Sequence, residues 1–147
     1  MAQNIDPYEL QRFCDAQRSV YEQVQRELLA GRKQSHWMWF IFPQVKGPGH
    51  SAMAWKYAIS SIAEGKAYLV HPLLGPRIRD CTQRVTNLNG LSIEEIFGHP
   101  DWRKFQSSMT LFADITDDNQ VFLAALQKYF GAEQDPQTLE RLGSCGC

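Results

Sequence analysis

The sequence has no motif that announces a reaction: it contains no glycine-rich phosphate loop, two-histidine zinc helix, nucleophile elbow or paired Cys-X-X-Cys. Charge of one sign is also missing, since 15 Lys and Arg against 16 Asp and Glu leave a formal net charge of −1. No global field therefore draws the chain to nucleic acid or to an anionic membrane, and neither is an expected partner. Long apolar runs are absent. The longest, Trp37 to Pro43, falls far short of the roughly 20 residues that cross a bilayer. The opening residues have neither the basic region nor the apolar stretch of a signal peptide, so the expectation is a cytoplasmic protein. Cysteine is sparse, with four in all. Cys14 and Cys81 stand alone in helical patterns, where a free cysteine behaves as a small buried hydrophobe. Cys145 and Cys147 form a Cys-Gly-Cys end with no second ligand pair at zinc spacing, so neither a metal nor a cofactor is expected.

What is present is the composition of one ordinary globular domain. The 147 residues are 44% hydrophobic and 21% charged, with aromatics at 12%. A chain of this length buries roughly 70% of its unfolded surface without needing staples. Helical spacing recurs along it. Asp6 and Pro7 are a start signal, and Phe13, Cys14, Gln17, Tyr21, Val24 and Leu28 then fit one long amphipathic helix closed by Gly31. Ser51 opens a second helix over Met53, Ala54, Tyr57, Ala58 and Ile62, with Gly65 as its stop. Leu73 to Asn87, Pro100 to Asp114 and Asn119 to Phe130 read as further helices. Ser92 and Glu95 form a capping box, and Asp135-Pro136 repeats the opening signal. No alternating run demands a sheet. The expected fold is all-α: a compact multihelical single domain of about six to eight helices over residues 1–142, followed by a flexible tail at 143–147.

Three segments are richer than simple packing requires. Ser35 to Gln44 holds two tryptophans, two phenylalanines and a methionine beside His36. Its plain reading is a central core element. Its functional reading is the wall of a ligand pocket, with Trp37 and Trp39 for stacking and His36 and Gln44 as polar fingers. Tyr68 to Arg77 reads as a helix corner built from proline and glycine. The alternative is a free helix start whose amides hold an anion beside Arg77. Lys104 to Phe112 is dense in hydroxyls, which either bond back to the preceding turn or line a polar cavity at Ser108. A serine nucleophile at Ser107 or Ser108 would need a base from among His36, His71 and His99.

At these same segments the chain resembles a known family. Asp6-Pro7 with Leu10-Gln11-Arg12-Phe13, the run Ser35 to Gln44, Tyr68 to Arg77, and Ser107 to Phe112 together are similar to domain-of-unknown-function family 1810. The resemblance spans nearly the whole chain and implies a compact multihelical fold, found largely in bacteria. Some members carry the label calpastatin, but nothing here is like the disordered calpain-binding repeats. The family brings no established activity or site residues, and the Cys-Gly-Cys end lies outside the resemblance.

Two functions compete. The first is a small-molecule-binding protein or enzyme for a nucleotide-like or other aromatic, anionic ligand. In that reading Trp37 and Trp39 stack, Arg77 and Lys33 meet the anion, Gln44 and Ser108 line the pocket, and His36 is the candidate for proton transfer. The second is a protein-interaction module docking through the aromatic cluster Trp37–Phe42. Burial separates them: a recessed cluster favours a ligand and a convex, exposed one favours a partner. The specific geometric expectation is that His36, Gln44 and Arg77 share one pocket walled by Trp37 or Trp39.

Overall fold

The computed structural model describes residues 6–47 and 51–145, among which ten helices form and no strand does. In order they are α1 (Gln11–Arg18), α2 (Tyr21–Ala30), α3 (Met38–Ile41), α4 (Ala52–Lys56), α5 (Ile62–Val70), α6 (Leu74–Asn87), α7 (Ile93–Phe97), α8 (Asp101–Ile115), α9 (Gln120–Phe130) and α10 (Pro136–Cys145). Helices α5, α6, α8 and α9 pack on one another, with Phe105, Phe112 and Phe122 fully buried among them. The all-α expectation is met, and the Ser92–Glu95 capping box forms in both directions.

Two expected long helices are each divided. The single helix over residues 7–30 breaks at Ser19 and Val20, because its halves serve different neighbours: α1 packs on α3 and α2 packs on α6. Asp6 does cap the start, accepting from the Leu10 and Gln11 amides at 2.8 and 2.9 Å, but a turn fills residues 7–10. Gly31 closes α2 in the left-handed conformation, φ +79°, where a side chain would be strained.

The second division has a clear cause. Between α4 and α5 the chain runs extended, and Val45 and Ile59 form an isolated parallel bridge there. The guanidinium of Arg12 fastens the same stretch, donating to the carbonyls of Lys56 and Ala58 and to Glu64 Oε2 at 2.6, 2.9 and 2.8 Å. Ser61 then caps α5 by accepting from the Glu64 amide. Gly65 is therefore inside α5 and packed against Ile115, not at a stop. Tyr68 and Leu69 extend that helix instead of making a turn.

The aromatic run Trp37–Phe42 is the centre of the molecule. Trp37, Met38, Phe40, Ile41 and Phe42 are buried, and only Trp39 is half exposed. Phe42 meets Phe105 edge-on at 5.0 Å, and Phe97 stacks on Phe105 at 4.9 Å. On the other side Phe40 and Phe13 both contact Tyr57, at 5.3 and 5.7 Å.

The run is held at its start by one buried carboxylate. Glu27 Oε1 accepts from the Gln34 and Ser35 amides and from the Trp37 indole N–H at 2.7, 3.0 and 2.9 Å. Its Oε2 accepts from the Ser35 hydroxyl and from Gln23 at 2.5 and 2.8 Å. Burial pulls the Glu27 pKa upward. The hydrogen bonds from Ser35, Gln34 and Gln23 outweigh it and bring the value down to about 2.

Three expectations follow. The folded pKa of Glu27 lies below its unfolded value, so its contribution is complete above the ordinary glutamate range and is lost as pH falls from about 4.5 toward 2. Glu27→Gln should lower stability at pH 7 by an amount on the order of 3 kcal/mol and flatten the acid limb of a midpoint-against-pH curve. An acid limb identical in both proteins would refute this. At the α5–α6 corner, a Cβ on Gly75 would lie 2.1 Å from the Leu69 carbonyl oxygen. Gly75→Ala should therefore cost about 2 kcal/mol or more, read as a thermal midpoint lower by roughly 5 °C. At the C-terminal end Leu142 is buried and Gly143 is exposed, while Gly146 and Cys147 lie outside the described residues. We expect that ending the chain after Gly143 leaves the midpoint within about 1 °C.

Candidate functional site

A cleft of about 520 Å³ opens where α3, the segment leading to Gly47, α4, α8 and α10 meet. Its aromatic walls are Trp39 and Trp55, with Tyr57 buried beneath. Trp39 reaches the cleft because its helical neighbours Met38, Phe40 and Ile41 are all turned into the core. Trp55, 56% exposed, stands on α4, a helix that buries none of its own residues. Gln44 is part of the lining, and its backbone carbonyl accepts from the Ile59 amide at 2.9 Å.

The charge of this cleft is of one sign. Lys46, Lys104 and Arg141 line it, and among the described residues no Asp or Glu does. Two of these cations lie on the tryptophans: Lys46 Nζ is 4.1 Å from the centre of the Trp55 ring, and Lys104 Nζ is 4.7 Å from that of Trp39. Lys104 is also tethered from outside the lining by Asp101, at 3.4 Å. Arg141 comes from α10, and its guanidinium rests against Gly47, where a Cβ would sit 2.6 Å from Cζ. Indole faces stack on planar rings, and lysine and arginine pair with anionic groups.

Of the residues singled out from the sequence, the fold gathers Trp39 and Gln44 in this cleft and disperses the rest. His36 is exposed on the loop before α3 and is not among the lining residues. Trp37 is 1% exposed and its indole is committed to Glu27. Arg77 lies over the Tyr21 ring at 4.0 Å and donates to Gln17 Oε1 at 3.1 Å, on the α1–α6 side of the molecule. Ser108 is fully buried in α8 and its hydroxyl has no hydrogen-bond partner among the described residues. Lys33 pairs with Asp101 at 2.8 Å with only 8% of its side chain exposed, and it is not among the residues that line this cleft. His36, Gln44 and Arg77 thus do not meet around the Trp39 cleft. The long helix assumed before Ser35 is broken, and the aromatic run is folded inward at Trp37.

Rival chemistries find little geometry. Cys14 Sγ lies 3.8 Å from His71 Nε2, but His71 Nδ1 accepts the Leu73 and Leu74 amides at 3.1 and 3.2 Å. In the neutral ring the proton is then on Nε2, directed at sulfur, which leaves no base facing the thiol. Burial, with Asp15 nearby, also raises the Cys14 pKa, so the thiolate is disfavoured. Ser107 Oγ is engaged with the Arg103 carbonyl and, at 2.7 Å, with Asp135, and no histidine is among its partners. Among the described residues no group of three or more His, Cys, Asp and Glu is placed to hold a metal ion, and no helix is long and apolar enough to cross a membrane.

Four cleft residues escaped the sequence reading: Lys46, Trp55, Lys104 and Arg141. Trp55 did leave a signal, since it falls off the apolar face of Met53, Ala54, Tyr57 and Ala58, and a tryptophan on a polar face invites explanation. Lys104 opens the hydroxyl-rich segment and could have been noticed there. Lys46 sits in a stretch that reads only as a loop, and Arg141 is brought in from a distant helix, so neither was visible locally.

The comparisons agree with the fold. The comparison with curated proteins gives no match. A solved structure, the conserved hypothetical protein Rv1873 from Mycobacterium tuberculosis, is 55% identical and superposes with a TM-score of 0.92. The match covers 94% of this chain and 99% of that one. The pattern of the family described as Protein of unknown function (DUF1810) matches residues 7–142, so the chain belongs to the DUF1810 family.

Proposed function

We propose that the protein binds a small ligand carrying both a planar aromatic ring and an anionic group, a nucleotide-like molecule being the leading class. The observation that supports this is the cleft itself: two tryptophans and three cations line one concavity of about 520 Å³ that no carboxylate among the described residues lines. That volume is within the range of small-molecule sites, and the mixture of apolar wall with a few charged groups is how such sites orient a ligand. Tryptophan faces accept any base or ring by stacking, while arginine and lysine supply charge-assisted contacts to phosphate or carboxylate. The reading concerns binding, and no catalytic group is assigned. The alternative of docking through Trp37–Phe42 has less support, because that run is buried except for Trp39, which faces the recess.

A thermal-shift screen against nucleotides and ADP-ribose derivatives tests the reading. A ligand at a hundredfold excess over its Kd should add about 2.7 kcal/mol, a rise of several degrees in the midpoint. Trp39→Ala and Arg141→Ala should each weaken the ligand about tenfold or more while leaving a folded protein. If no ring-bearing anion stabilises the wild type, or if both variants bind undiminished, the proposal fails.

A further inference from the structure

The two tryptophan–cation pairs of the cleft are not equivalent. Lys104 is on a regular helix and is held by Asp101, so its ammonium has a carboxylate as well as the Trp39 ring. Lys46 has no ion pair among the described residues, and its ammonium lies on the Trp55 ring alone. Its backbone, in contrast, is fixed: the Lys46 amide donates to the Ile59 carbonyl at 2.8 Å beside the Val45–Ile59 bridge. An anchored base with a free four-carbon stem lets the charged head move while its origin stays still. The next residue, Gly47, is the one against which the Arg141 guanidinium rests. The backbone from which the Lys46 stem starts is therefore one residue from the glycine that a second cation touches.

The geometry points to an exchange: the ring of the ligand takes the Trp55 face from Lys46, and the displaced ammonium joins Arg141 on the anion of the same ligand. This rests on the binding reading above and refines it. Lys46 becomes the residue that selects for a ring and an anion in one molecule. A neutral ring must evict the ammonium and gives it nothing in return. A ring that carries an anion evicts it and re-pairs it, in a stronger charge-assisted contact. A free inorganic anion gains no stacking. The favoured class is then an aromatic monoanion or dianion whose charge lies a short linker away from the ring, as in a nucleoside monophosphate.

The exchange makes a prediction of opposite signs. Binding of AMP and of adenosine would be measured by calorimetry and by the indole proton resonance of Trp55, in wild type, Lys46→Ala and Arg141→Ala. Lys46→Ala should weaken AMP about tenfold and at the same time tighten adenosine by roughly two- to fivefold, because the ring no longer competes with an ammonium. Arg141→Ala should weaken AMP and leave adenosine unchanged. The Lys46 side chain is exposed, and an unchanged thermal midpoint would show that Lys46→Ala folds as wild type does. If AMP binds the wild type but adenosine is weakened or unaffected by Lys46→Ala, the exchange is wrong and the cleft reading stands. If AMP does not bind the wild type saturably, both fall as far as nucleotides are concerned, and inorganic phosphate binding equally well would show an anion site without a ring subsite, which also overturns the exchange.

Discussion

The buried carboxylate of Glu27 is the constraint from which much of this structure follows. It lies in the last turn of α2, where the helix dipole presents its negative end and opposes an acidic group. A carboxylate in that place is tolerable only if donors surround it, and here they come from the backbone of Gln34 and Ser35, from the Ser35 hydroxyl, from Gln23 and from the Trp37 indole. Satisfying Glu27 therefore fixes the path of the chain as it leaves α2. That path delivers Trp37 to the interior and sets the phase of the four residues after it.

The aromatic run then divides the interior into two ring clusters. Phe42 joins Phe97 and Phe105 on the α7–α8 side, while Phe40 joins Tyr57 and, through it, Phe13. Edge-on and tilted contacts of this kind add to simple burial and are sensitive to orientation. The short run from Trp37 to Phe42 is thereby held from both flanks, and Trp39 stands on that packed segment. The opposite wall is different. Trp55 stands on a five-residue helix with no buried residue of its own.

The helical class, the capping box, the Gly31 closure and the central place of the aromatic run were legible because each rests on local signals. Periodicity, cap chemistry and turn residues act within a few positions of one another. The helix divisions were not legible. Ser19 and Val20 carry no breaker, and the split there arises because two neighbours compete for the two halves. Arg12 shows the same limit more sharply: by spacing it belongs to the solvated face of α1, yet it clamps the α4–α5 connection from 44 residues away. The site was half visible for a related reason. Trp39 and Gln44 lie in the segment that drew attention, whereas Lys46, Lys104 and Arg141 become neighbours only after folding. His36 and Arg77 looked functional by type, and tertiary structure assigned one to solvent and the other to a structural bond with Gln17.

The single parallel bridge between Val45 and Ile59 has a consequence beyond closing a loop. It rests on two hydrogen bonds, and none of the described residues from Lys46 to Lys56 is buried. One wall of the cleft, at Trp55, therefore stands on a helix that buries none of its own residues, while the other wall, at Trp39, is continuous with the core. A substitution at the exposed Trp55 would alter what the cleft presents while leaving the interior packing in place.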